Sequence, residues 1–105
     1  MNCGLQDTVI QKICGVFLKF PIIKKVVLYG SRAKGNYKNG SDIDLTLMGE
    51  SDLNLRVLSE VMDEIDELLL PYSFDLSVFS NITDQSLIEH IKRVGVVFYE
   101  KPTAK

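Results

Sequence analysis

A chain of 105 residues, 46% hydrophobic and 25% charged, has room for a single core and reads as one globular domain over residues 1–105. The formal net charge of −2 argues against bulk nucleic-acid binding, and no apolar run approaches the roughly 18 residues that would span a bilayer. Cys3 and Cys14 have neither metal-ligand spacing nor a disulfide framework around them, and the first residues lack a basic leader, so a reducing cytoplasm is the expected setting.

The charge is unevenly spread. Residues 1–41 hold seven Lys/Arg against Asp7 alone, whereas residues 42–105 hold five against thirteen acids. Such asymmetry arises when solvated helix faces differ in sign. It also arises when Arg32, Lys34 and Lys38 face phosphates while the acidic half attracts a basic partner.

Taken in order, Leu5, Val9, Ile13, Val16, Phe17 and Phe20 keep to one helical face, predicting a packing helix over residues 5–20 that Pro21 stops. Gly15 should cost that helix about 1 kcal/mol relative to Ala. Val26–Tyr29 suits a short strand buried on both faces. It runs into Gly30-Ser31 and a loop rich in Gly, Asn, Ser and Lys through Asn39-Gly40, with one helical turn expected from Ser31 to Gly35. Asp42–Met48 alternates, with Ile43, Leu45 and Leu47 on one face and Asp42, Asp44 and Thr46 on the other.

A second helix is expected over about residues 53–69. Ser51 or Asp52 is its expected cap, and Leu58, Val61, Met62, Ile65, Leu68 and Leu69 form its stripe. Phe74–Phe79 alternates again and separates Phe74, Leu76 and Val78 from Asp75, Ser77 and Phe79. The strand–helix–strand passage from 42 to 79 has crossover length, so its strands should run parallel with a right-handed connection. Thr83 reads as the cap of a third long helix whose inner stripe is Leu87, Ile88, Ile91 and Val94, stapled by Ile82 against Leu87 and ended by Gly95. Val96–Tyr99 makes a last strand, and residues 101–105 should fray. The expected class is α/β (α+β), a mixed β-sheet flanked by helices.

The chemistry concentrates in Val26–Leu47. Asp42 and Asp44, two apart on a strand, send their carboxylates from one face with Cα atoms about 6.5–7 Å apart. Taken alone, a D-x-D more often marks an exposed edge or a cap pair. Mg²⁺, however, is held by one or two carboxylates plus substrate phosphates, and two such ions about 3.5–4 Å apart clamp an in-line displacement. Asp75, on the neighbouring strand, is the candidate third carboxylate. Gly30 to Gly35 has the glycine spacing that opens a P-loop, but Asn36-Tyr37 stands where that motif needs Lys and Ser/Thr. What remains is a Gly-Ser turn whose N–H groups and Ser31 hydroxyl can bind terminal phosphate oxygens. His90, the sole histidine, reads as a structural or solvated residue, and Cys14 as a core or near-core thiol. Tyr29 reads as packing, and Tyr37 as a loop aromatic that could stack on a base.

Gly30-Ser31, ten residues, then Asp42-Ile43-Asp44 resembles the G-S-x10-D-x-D signature of polymerase-β-type nucleotidyltransferases, and GSRAKG…SDIDL resembles the minimal nucleotidyltransferase (MNT) branch. The resemblance implies a two-Mg²⁺ transfer of AMP from ATP. In it Gly30 and Ser31 bind the triphosphate, and Asp42, Asp44 and Asp75 serve as metal ligands and catalytic carboxylates. Arg32 and Ser41 are secondary phosphate contacts. Lys34 stands where many relatives carry Arg, which keeps the charge but loses the bidentate fork.

The chain shows no segment that would hold an acceptor. The resemblance implies a helical HEPN partner, with this protein as an antitoxin transferring AMP to a tyrosine of the toxin. The alternatives are a subunit that neutralises such a partner by contact alone, and a homo-oligomeric nucleotidyltransferase acting on a small molecule. Base preference, the number of AMP units and the partner-binding face are not written in the sequence.

Overall fold

The computed structural model describes residues 3–38 and 40–102. Asn39, in the expected turn, and residues 103–105, expected to fray, lie outside the described residues. Among the described residues four helices and four strands follow one another: α1 (Asp7–Leu18), β1 (Ile23–Tyr29), the short α2 (Ser31–Lys34), β2 (Ile43–Gly49), α3 (Leu55–Asp66), β3 (Phe74–Val78), α4 (Gln85–Val94) and β4 (Val96–Glu100). A 3₁₀ turn over Phe79–Asn81 leads out of β3. The sheet order is β3-β2-β1-β4. β2 and β3 pair in parallel, as the crossover length required, and β1 pairs antiparallel with both β2 and β4, so the sheet is mixed.

Strand alternation assigns the two faces. Val26 and Leu28 of β1, Ile43, Leu45 and Leu47 of β2, and Phe74, Leu76 and Val78 of β3 join one core with the inner residues of α1 and α3. The expected α1 face is seated there in full: Ile13, Val16 and Phe17 are buried, and Leu5, Val9 and Phe20 pack alongside. At β4 the register slips, so that Val26 faces Tyr99 while Val27 faces Val97. The extra residue in this bulge lets Phe98 and Tyr99 both enter the same core. Phe17 packs on the two rings, at centroid distances of 6.5 and 5.5 Å.

The opposite face is smaller. Val27 and Tyr29 meet Ile91 of α4, with Met48, Phe79, Ile82, Leu87 and Val94 around them. Gly95 ends α4 as expected.

Several local expectations are corrected. The cap of α3 is Asn54, not Ser51 or Asp52; its Oδ1 accepts from the N–H groups of Arg56 and Val57 at 3.0 and 3.1 Å. The cap of α4 is Asp84, not Thr83, and it accepts from Ser86 and Leu87. In both cases the side chain that reaches two orphan amides wins over a plausible neighbour. Met62 and Leu69 leave the expected α3 stripe. α3 ends at Asp66, and Leu69 lies beyond it in a left-handed turn, 88% exposed. Lys101, expected to fray, is held at both ends, its N–H donating to Lys24 O at 2.8 Å and its Nζ to Pro21 O at 3.0 Å.

Part of the charge asymmetry resolves inside the fold. Lys19 at the end of α1 pairs with Glu64 of α3 at 2.7 Å, and Lys24 pairs with Glu50 at 3.0 Å. These exposed pairs link the basic and acidic halves but add little stability.

Candidate active site

β1 ends at Tyr29, and the chain turns at once through Gly30 with φ +77°, a conformation that L side chains rarely adopt. A Cβ at Gly30 would run into Asp44 Oδ2, so the missing side chain is also the space in which that carboxylate sits. α2 begins at Ser31, as expected from the sequence, and its first amides have no acceptor within the turn.

The sheet register places Tyr29 opposite Asp44, and Asp44 opposite Asp75. One row across three strands therefore runs phenol, carboxylate, carboxylate, with adjacent strands about 4.8 Å apart. Asp42 stands exposed just before β2, while Asp44 is half-buried and Asp75 exposed. Below this row Thr46 is wholly buried, and Ser77 Oγ donates to its Oγ1 at 2.9 Å. Under α4 the same face is apolar, with Val27 and Met48 packed toward Ile91, so its polar, accessible part is the Asp42–Asp44–Asp75 end.

The electrostatics bear the mark of crowding. Burial pushes the Asp44 carboxyl above the usual carboxylate range, and the charges of Asp75 and Asp42 push it the same way, partly offset by His90. Burial likewise raises the Tyr29 phenol; Asp75 and Asp44 add to the shift and Ser77 opposes it. Among the described residues, no three His, Cys, Asp or Glu side chains converge tightly enough to enclose a metal ion by themselves. The donors nevertheless suit Mg²⁺, which takes few protein carboxylates and completes its shell with phosphate oxygens and water. Asp44 in the Gly30 cradle, its charged form disfavoured by burial and by the neighbouring carboxylates, is the feature a cation would relieve.

The remaining expected residues are placed as follows. Ser31 is half-buried at the turn. Ser41 closes the loop: its N–H donates to Lys38 O at 2.9 Å and its Oγ accepts from Lys38 N–H at 2.8 Å. Arg32 is 3% exposed, donating from Nε to Ser41 O and from Nη1 to Cys3 O. Tyr37 lies against that guanidinium. Lys34 is exposed. Cys14 is a near-core thiol whose pKa burial raises.

Two residues border the site without an expected role in it. Tyr29 packs, as expected, with Val27 and Ile91, and the sheet register also sets it opposite Asp44. His90 packs edge-on against the Tyr29 ring, with centroids 6.3 Å apart, because α4 crosses β1 there. Nothing local to residue 90 could have indicated that.

Residues 11–104 match the family model described as polymerase beta, nucleotidyltransferase, and the chain belongs to that family. It is 34% identical over 73 residues to the "Probable protein adenylyltransferase MntA" of Haemophilus influenzae, covering 70% of this chain and 63% of that protein. A candidate protein adenylyltransferase of Methanocaldococcus jannaschii is 42% identical over 50 residues, 48% of this chain and 45% of that protein. The chain thus aligns with less than two thirds of either relative's length.

Two solved structures share the fold. One is a crystallised toxin–antitoxin pair with AMP-PNP (TM-score 0.71, 19% identity, 88% of this chain and 73% of that one). The other is a tri-AMPylated Shewanella oneidensis HEPN toxin in complex with its MNT antitoxin (TM-score 0.67, 17% identity, 92% and 74%). Among the described residues, no helix is long and apolar enough to cross a membrane.

Proposed function

We propose that this protein is an adenylyltransferase that moves AMP from ATP to a hydroxyl of a protein acceptor, a tyrosine of a helical HEPN-type toxin, and so serves as the antitoxin of the pair. The observation that carries this reading is the registered pair Asp44 and Asp75 on adjacent parallel strands, directly beside the Gly30-Ser31 turn. The name borne by the Haemophilus influenzae relative supports the nucleotide and the protein acceptor. The Shewanella oneidensis complex supports a HEPN partner. Both free thiols, Cys3 and Cys14, suit a cytoplasmic setting.

In this reading the amides and hydroxyl at Gly30-Ser31 hold the terminal phosphates. Asp42, Asp44 and Asp75 would hold two Mg²⁺ ions, which when bound supply charge neutralisation of the triphosphate and of the leaving pyrophosphate. Asp75, at the exposed end of the row, takes the proton of the acceptor hydroxyl. That oxygen then bonds to the α-phosphorus as the bond to the bridging oxygen breaks and pyrophosphate departs. The acceptor comes from outside the chain and approaches over the open end of the carboxylate face.

The test is to incubate the protein with α-labelled ATP, Mg²⁺ and its neighbouring HEPN gene product. Label on a partner tyrosine is expected. Retained partner binding with no label on any species would overturn the transfer and leave neutralisation by contact.

A further inference from the structure

Arg32 is the most deeply buried charge among the described residues, and no carboxylate lies within salt-bridge distance of it there. A buried cation without a counter-charge is costly unless its hydrogen bonds and surroundings compensate. Here the compensation comes from four residues in three separate parts of the chain. Nε donates to Ser41 O at 3.1 Å, and Nη1 donates to Cys3 O at 3.0 Å. The guanidinium carbon lies 5.4 Å from the ring centroids of both Tyr37 and Tyr72, within cation–π range.

The N-terminal segment is shaped to this arrangement. Gly4 has φ +80°, and a Cβ there would come within 2.7 Å of Tyr37 Cζ and 3.0 Å of Arg32 Nη1. Segments at 3–4, 32, 37–41 and 72 thus meet on one side chain.

The position of Arg32 in the chain gives the arrangement its consequence. It follows Ser31 of the phosphate turn directly, and its Nε partner Ser41 immediately precedes Asp42. Ser41 also ties off the loop through both of its bonds with Lys38. We propose that Arg32 is a positioning residue: by clamping Ser41, the N-terminal segment and the two tyrosines, it sets the separation between the Gly30-Ser31 turn and Asp42 before nucleotide arrives. The inference rests on the nucleotidyltransferase reading of that turn. It requires the planar fork and the weakly hydrated face of a guanidinium, which a lysine ammonium does not supply.

The experiment compares the full-length protein with Arg32→Lys, Arg32→Gln, Tyr72→Leu and the Arg32→Lys/Tyr72→Leu double variant. Three readouts are taken: melting temperature, amide hydrogen exchange without nucleotide, and binding of Mg-ATP, Mg-ADP and AMP. Arg32→Lys and Tyr72→Leu are each expected to keep a cooperative fold, to speed exchange at the Lys38 and Ser41 amides, and to weaken Mg-ATP binding about tenfold or more. The double variant is expected to be little worse than either single change, since both release the same clamp.

Unchanged loop exchange in Arg32→Lys and Tyr72→Leu would overturn the proposal. So would a loss in Arg32→Gln that grows with phosphate number while Tyr72→Leu binds normally, because Arg32 would then be a direct phosphate contact. Should Arg32→Gln fail to fold, the lysine and Tyr72 variants decide. Should the unaltered protein bind no nucleotide, the proposed activity fails, and the exchange comparison still determines whether Arg32 holds the loop.

Discussion

On one face of the sheet Ile43, Leu45 and Leu47 are wholly buried beneath α1 and α3. On the other, Asp44 and Asp75 stand in register at the end that α4 leaves open. These faces share a backbone and alternate residue by residue, so Asp44 and Leu45 are chain neighbours with opposite tasks. The sealed face gains from every apolar contact it closes. The open face holds like charges at a separation that the folded chain alone does not favour, which is the arrangement expected where a cation and a polyphosphate complete the structure.

The contrast is broken most sharply at those two neighbours. Asp44→Asn is expected to lower AMP transfer about a hundredfold or more. The same change should leave the melting temperature of the nucleotide-free protein unchanged or raised, since it removes a carboxylate crowded by burial, Asp75 and Asp42. The pH dependence has a definite sign. The unfolded chain releases the Asp44 proton near the ordinary value of about 3.9, and the folded chain at a higher pH. Because the folded state holds this proton more tightly, the contribution to stability is fully present below the unfolded value and declines as pH rises between the two. That advantage fades as pH rises through the raised folded value, and Asp44→Asn should remove this component from a melting-temperature profile. Unfolding of the domain by Asp44→Asn would instead make Asp44 structural and the site assignment wrong.

Leu45→Ala should do the reverse, costing about 2–5 kcal/mol in urea unfolding through the cavity it opens, with the spacing of the carboxylates kept in molecules that remain folded. Asn54→Ala removes the cap of α3, the helix that covers the sealed face, and should cost about 1 kcal/mol with little effect on transfer. The smallest expected change is a gain. A Cβ at Gly15 in α1 meets nothing within 4 Å, so Gly15→Ala should stabilise the sealed layer by about 0.5–1 kcal/mol, read as a higher urea midpoint.

Much of this two-faced design was legible in order along the chain. The alternation in 42–48 and 74–79 separated the inward residues from Asp44, Asp75 and Ser77, and the structure keeps those assignments, while Asp42, expected on the same strand, falls just before it. The crossover length predicted the parallel pairing that sets Asp44 beside Asp75. Helix ends were less legible, because caps are chosen by which side chain reaches the free amides; Asn54 and Asp84 won over nearby Ser51, Asp52 and Thr83. Leu69 misled because a continuing apolar stripe carries no sign that the helix has stopped at Asp66. The contacts around Arg32 were illegible for a different reason. Cys3, Tyr37, Ser41 and Tyr72 share no periodicity with residue 32, and only chain closure brings them together.

By itself, the sequence determined the period of each element, the Gly-Ser turn with its following D-x-D, and the placement of Asp44 and Asp75 on strands, since these depend on backbone geometry and near neighbours. Tertiary structure alone decided which elements border the carboxylates, that His90 and Tyr29 flank them, and that Arg32 turns inward to the loop. Those outcomes follow from packing and desolvation between residues tens of positions apart, where no local pattern carries the information.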